Sequence, residues 1–87
     1  MSQTKDVVGQ KAADVFLRHV PAGVERTTVR ALDAEKGYFE VTMSNKDGSV
    51  HSGNISLTDK SYWLNIHTAY TPKDGWSHPH ERHQGHI

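Results

Sequence analysis

Residues 38–57 read YFEVTMSNKDGSVHSGNISL, two alternating stretches around one short break. Phe39, Val41 and Met43 take turns with Glu40, Thr42 and Ser44, the period-two pattern of a strand with one face buried and one wet. Asn45-Lys46-Asp47-Gly48 interrupts it, and Asp-Gly tolerates the positive φ that a tight hairpin demands. Ser49 to Leu57 then resumes as a second strand, with Ile55 and Leu57 facing the core. Gly53 marks a bulge or a close backbone approach. An antiparallel hairpin is therefore expected at the centre of the chain.

The flanks extend it in both directions. Between Thr4 and Val20 the residues Val8, Ala12, Val15, Phe16 and Val20 recur at helical spacing, with Gln10, Lys11, Asp14 and Arg18 on the other side. Thr4 suits the start of this helix, and Pro21-Ala22-Gly23 stops it. Val24 to Leu32 has apolar positions that fit a helix, but its run of β-branched residues favours a strand at about Glu25–Asp33, followed by a turn to Gly37. SYWLNIHTAY, residues 61–70, reads as a further strand with Tyr62, Leu64, Ile66 and Tyr70 on one face and Trp63, Asn65 and His67 on the other. A helix opening at Thr58 or Asp59 would instead group Tyr62, Trp63, Ile66 and Tyr70, but the residue types there are mediocre helix formers. Thr71 to Gly75 is a turn or linker.

The expected fold is α+β: one N-terminal amphipathic helix on one face of a three- to four-stranded antiparallel meander. Residues 1–76 form a single small domain, and residues 77–87 a flexible, His-rich C-terminal tail. This order, a helix and then short strands joined by Gly-containing turns, resembles that of PepSY-like domains over about the first two-thirds of the chain, without a diagnostic motif. The resemblance implies a small inhibitory or binding module.

Composition narrows the function. The 87 residues suffice for one thin core, and a mean hydropathy of -0.70 places polar residues on strand faces and loops. Ten basic residues balance ten acidic ones, and the balance holds in each half of the chain. A protein that neutralises many phosphates shows a basic surplus, so nucleic-acid binding is disfavoured. The absence of cysteine excludes disulfides, thiolate zinc sites and a cysteine nucleophile. No stretch approaches the roughly 20 apolar residues of a membrane span and no leader pattern opens the chain, so a cytoplasmic protein is expected.

Three constellations carry possible chemistry. The tail SHPHERHQGHI holds His78, His80, His83 and His86, whose imidazoles could converge on Zn or Ni; the plainer alternative is a mobile end that binds metal weakly. The sheet face turned away from the helix would present Arg26, Thr28, Arg30, Tyr38, Glu40, Thr42, Trp63, Asn65 and His67. Aromatic and Arg side chains of this kind are enriched at interface hot spots, although an ordinary solvated face has a similar mixture. His51 and His67 could serve as general bases near Ser49, Ser52, Ser56, Asp59 or Glu40. No nucleophile elbow, phosphate loop or paired-carboxylate motif accompanies them, and no enzyme is expected.

The leading expectation is a non-catalytic protein-interaction, regulatory or inhibitor module. It would dock an exposed sheet face or edge strand on a partner protein or on a second copy of itself, through Arg26, Arg30, Tyr38, Trp63 and His67, with Trp76 as a further anchor. The alternative is a metal-responsive protein using the histidine tail.

Overall fold

The computed structural model describes the backbone of residues 3–87 and the side-chain surroundings of residues 8–87. Helix α1 spans Gln3–Leu17, and strands follow at β1 (Val24–Asp33), β2 (Tyr38–Asn45), β3 (Val50–Leu57), β4 (Ser61–Thr71), β5 (Gly75–Ser77) and β6 (Glu81–His86). All six strands join one antiparallel sheet in the order β1-β2-β3-β4-β5, with β6 also on β4. The α+β arrangement is as expected, but the sheet is larger than the three or four strands read from the sequence. Residues 61–70 are strand, which removes the helical alternative. Helix α1 already includes Gln3, so Thr4 lies within its first turn and not at the capping position before it; the Thr4 side chain lies outside the described residues.

Alternation builds the core. Phe39, Val41 and Met43 of β2, Ile55 and Leu57 of β3, and Tyr62, Leu64 and Ile66 of β4 are buried beneath Ala12, Val15 and Phe16 of α1. Each of these large side chains removes ~1.5–3 kcal/mol worth of apolar surface from water. Strand β1 contributes little to this core, since every residue from Glu25 to Leu32 is exposed.

The turns are held by specific polar contacts. Gly48 sits at φ 92°, and its N–H donates to the Asn45 carbonyl at 3.0 Å. The Asp47 carboxylate accepts from the Ser49 hydroxyl at 2.7 Å and the Ser49 N–H at 2.9 Å; these bonds hold its pKa below the ordinary carboxylate value. Asn45 is buried, and its amide donates to the Pro21 and Ala22 carbonyls at 3.2 and 3.1 Å. The chain leaving α1 is thereby fastened to the central hairpin.

Two irregularities shape the far side of the sheet. Ser52 pairs with Thr68 but Gly53 pairs with Ile66, so His67 is an extra residue on β4. A Cβ on Gly53 would lie 2.0 Å from the Asn65 carbonyl oxygen and 2.8 Å from Ile66 Cα, so the bulge requires glycine there. Strands β5 and β6 lie in succession along one side of β4: Ser77 faces Ala69, and Glu81 faces Ile66. The gap between them is His78-Pro79-His80, and Pro79 has no N–H to offer a ladder. The segment read as a structureless tail thus supplies a strand, because β4 leaves one edge for it to pair with.

Two glycine substitutions should move stability in opposite directions. Gly53→Ala should destabilise by ~3 kcal/mol or more, because the clash is with backbone. Gly9→Ala should stabilise by about 0.5–1 kcal/mol, because a helical glycine gains propensity and its new methyl meets Val29 and Phe39 at an ordinary 3.8–3.9 Å. Thermal melts check both: the first lowers Tm, and the second raises it.

Candidate functional site

Cross-strand register fixes which side chains share the face that α1 leaves open. One row runs Arg26, Ser44, Val50, Tyr70 and Trp76; the next runs Thr28, Thr42, Ser52 and Thr68. A third runs Arg30, Glu40, Asn54, Asn65 and Arg82, and a fourth Tyr38, Ser56, Trp63 and Gln84. Arg26, Arg30, Tyr38, Trp63 and Trp76, named from the sequence, therefore lie on one surface. His67 joins them through the bulge: its Nδ1 lies 2.8 Å from the Thr68 hydroxyl, opposite Ser52.

The bulge also corrects one expectation. Simple alternation puts Tyr70 on the same face as Tyr62, Leu64 and Ile66, but the extra residue reverses the phase beyond it. Tyr70 consequently pairs with Val50 on the open side, and its ring packs against Trp76 with centroids 5.0 Å apart. This gives Trp76 a fixed neighbour while leaving it 64% exposed; Trp63 is 44% exposed at the other end of β4.

Between the two tryptophans the surface is short and polar. The Thr42 and Ser52 hydroxyls are 3.0 Å apart, so β2 and β3 are tied together within one row. Asn65 Oδ1 is shielded from solvent and has no hydrogen-bond partner among the described residues. Arg26 and Arg30 stand along the β1 border, and Arg82 along the β6 border.

The residues weighed for catalysis do not assemble. His51 pairs with Met43 and Ala69 on the helix side of the sheet, whereas His67 is held beside Thr68 on the open side. Ser49 is engaged by Asp47, and Ser52 by Thr42. Neither His51 nor His67 lines the grooves beside β1, beside Trp63 or beside Gly37.

The tail histidines are likewise separated. His83 and His86 are three residues apart on β6, so one faces Leu64 on the helix side and the other faces Ser61 on the open side. His78 and His80 lie in the gap before the strand. Among the described residues no group of three or more His, Asp or Glu side chains has metal-binding geometry.

His83 instead takes part in a contact that sequence reasoning missed. Its ring stacks on that of His19, just beyond α1, with centroids 4.1 Å apart and planes 18° from parallel. His19 Nε2 lies 2.8 Å from the Tyr62 hydroxyl. Tyr62 in turn covers Gly85, where an added Cβ would come within 3.2 Å of the phenol ring. Arg18 Nη1 donates to the His86 carbonyl at 3.4 Å. Strand β6 is thus clipped to the end of the helix, and no local sequence signal joins residues so far apart.

The chain matches no known family model, no curated protein and no solved structure, so the likeness in element order to PepSY-like domains transfers no activity to it.

The histidine clip should make stability depend on pH. Burial, then the neighbouring His83 and Arg18 charges, lower the His19 pKa below its ordinary 6.5, with Glu81 opposing them. The unfolded chain takes up a proton at His19 before the folded protein does. Stability from this site is therefore complete above about pH 6.5 and declines as pH falls towards the lower folded value. Melting curves between neutral and mildly acidic pH should show this decline, and His83→Phe, which keeps a stacking ring without its charge, should make it shallower.

Proposed function

We propose that this chain is a small non-catalytic interaction module that binds a partner protein through the open sheet face or the free edge beside it. The observation that carries the reading is one-sided coverage. Helix α1 shields one face, while the other presents two exposed tryptophans at opposite ends of β4 with Arg26 and Arg30 along one border. Trp and Arg are enriched at measured interface hot spots: Trp buries a large area at modest cost in conformational freedom, and Arg combines an apolar stem with a planar fork of hydrogen-bond donors. The Thr, Ser and Asn rows between them offer hydrogen bonds without fixed charge.

Size and charge support the same reading. The formal net charge is zero, so steering towards nucleic acid by a strong positive field has no source here. A regulatory or inhibitory role follows if docking blocks the partner's own surface.

The test is capture of a partner from the native source, identification of that partner, and rebinding with purified proteins. Replacing Arg26, Arg30, Tyr38 and Trp63 together by Ala should weaken binding at least ~10-fold, while the melting temperature stays within a few degrees because these side chains lie outside the core. Wild-type affinity in the quadruple variant would overturn the assignment of the face.

A further inference from the structure

We infer that the free edge of β1 pairs with the β1 edge of a second copy of this chain, forming a two-fold dimer with a continuous sheet. This deepens the interaction reading and rests on it, since it names the occupant of the edge.

The two borders of the sheet differ in how they are protected. The β5/β6 border is broken by His78-Pro79-His80 into pieces of three and six residues, and a proline on an edge blocks further pairing. The β1 border is ten residues long, contains no proline and has β2 on one side only among the described residues. Its bulges, at Glu25 and Leu32, leave Arg26 to Ala31 as a regular stretch. Half of the backbone N–H and C=O groups along that stretch point away from β2 with no strand to receive them.

The surface beside the edge mixes apolar side chains with the polar Gln10, Asp14 and Thr27. A groove of about 720 Å³ runs between α1 and β1, floored by Phe39 and Met43 and walled by Ala13, Leu17, Val29 and Ala31. Leu17 is 47% and Val29 37% exposed. A strand added to β1 would carry its helix-side residues to the mouth of this groove. The second copy's own β1 brings Val29 and Ala31 there.

Length and charge together select the register, since centring on Thr27 or Ala31 would pair only a fraction of the regular stretch. Antiparallel self-pairing centred on Thr28 would set Arg26 opposite Arg30 of the second copy, twice over, and like charges directly opposite destabilise a sheet. Centred on Arg30, the guanidiniums would face each other across the axis. Centred on Val29, Val29 meets Val29, Thr27 meets Ala31 and Thr28 meets Arg30, with no like-charge pair in the regular stretch. The geometry is isologous, so it closes at two copies.

The absence of cysteine makes the register directly testable. In analytical ultracentrifugation from micromolar concentration upward, the full chain should sediment at twice 9.7 kDa, and Val29→Lys should return it to a single 9.7 kDa species. With diamide as oxidant, the single-cysteine variant Val29→Cys should cross-link, because opposed Cα atoms lie ~4.5–5.5 Å apart and a disulfide spans about 4.4–6.8 Å. Thr28→Cys should not, because its counterpart is diagonal at ~7–8 Å. A monomer across that range would overturn the inference, while leaving the open face to be judged by the quadruple alanine variant. A dimer that persists in Val29→Lys, or that cross-links through residue 28 instead of 29, would also overturn it. Circular dichroism of each variant separates loss of pairing from loss of fold.

Discussion

One constraint organises this molecule: a single fifteen-residue helix can cover only one face of the sheet it packs on. Ala12, Val15 and Phe16 seal the row of Phe39, Val41, Ile55, Leu64 and Ile66, and this burial is the main favourable term available to so short a chain. Because side chains alternate, sealing that row forces Thr42, Ser52, Asn54 and Asn65 onto the opposite surface. The open face is therefore a consequence of how the core is made. Its chemistry, short polar rows between Trp63 and Trp76, is what the strands could carry without competing for the same burial.

The same economy explains the borders. Strand β4 is the longest in the sheet, and its outer side is covered piecemeal by β5 and β6, with the break at Pro79 lying level with the bulge at His67. The two irregularities sit back to back across the pairing, so β4 can bend there without orphaning a long run of backbone groups. Beyond the break, the clip formed by His19, Tyr62 and His83 holds β6 against the end of the helix. The first and last parts of the chain thereby stabilise one another. The opposite border has no such clip; β1 is exposed from Glu25 to Leu32, with a bulge near each end.

What the sequence disclosed and what it hid follow from the range of the interactions involved. The central hairpin was legible because alternation and an Asp-Gly turn are local signals, and Gly53 announced its bulge because only a missing side chain permits that approach. The open-face set of Arg26, Arg30, Tyr38 and Trp63 was legible for the same reason, since period-two reasoning holds as long as the register is unbroken. It failed at Tyr70, where one extra residue inverted the phase. It failed again at β6: Glu81 to His86 lacks apolar alternation, and its pairing depends on an edge of β4 that local pattern cannot reveal. The four tail histidines looked like one cluster in the sequence, but a strand throws residues three apart to opposite faces, and His83 found its partner in His19 instead.

The most direct test of the account is the side-chain NOE pattern of the full-length chain in solution. The account predicts contacts from Ala12, Val15 and Phe16 to the inward side chains of β2, β3 and β4, and none from the helix to Trp63, Thr42 or Asn54. Contacts from Phe16 to Trp63 or Asn54 would contradict it, because they would place the helix on the face assigned to docking.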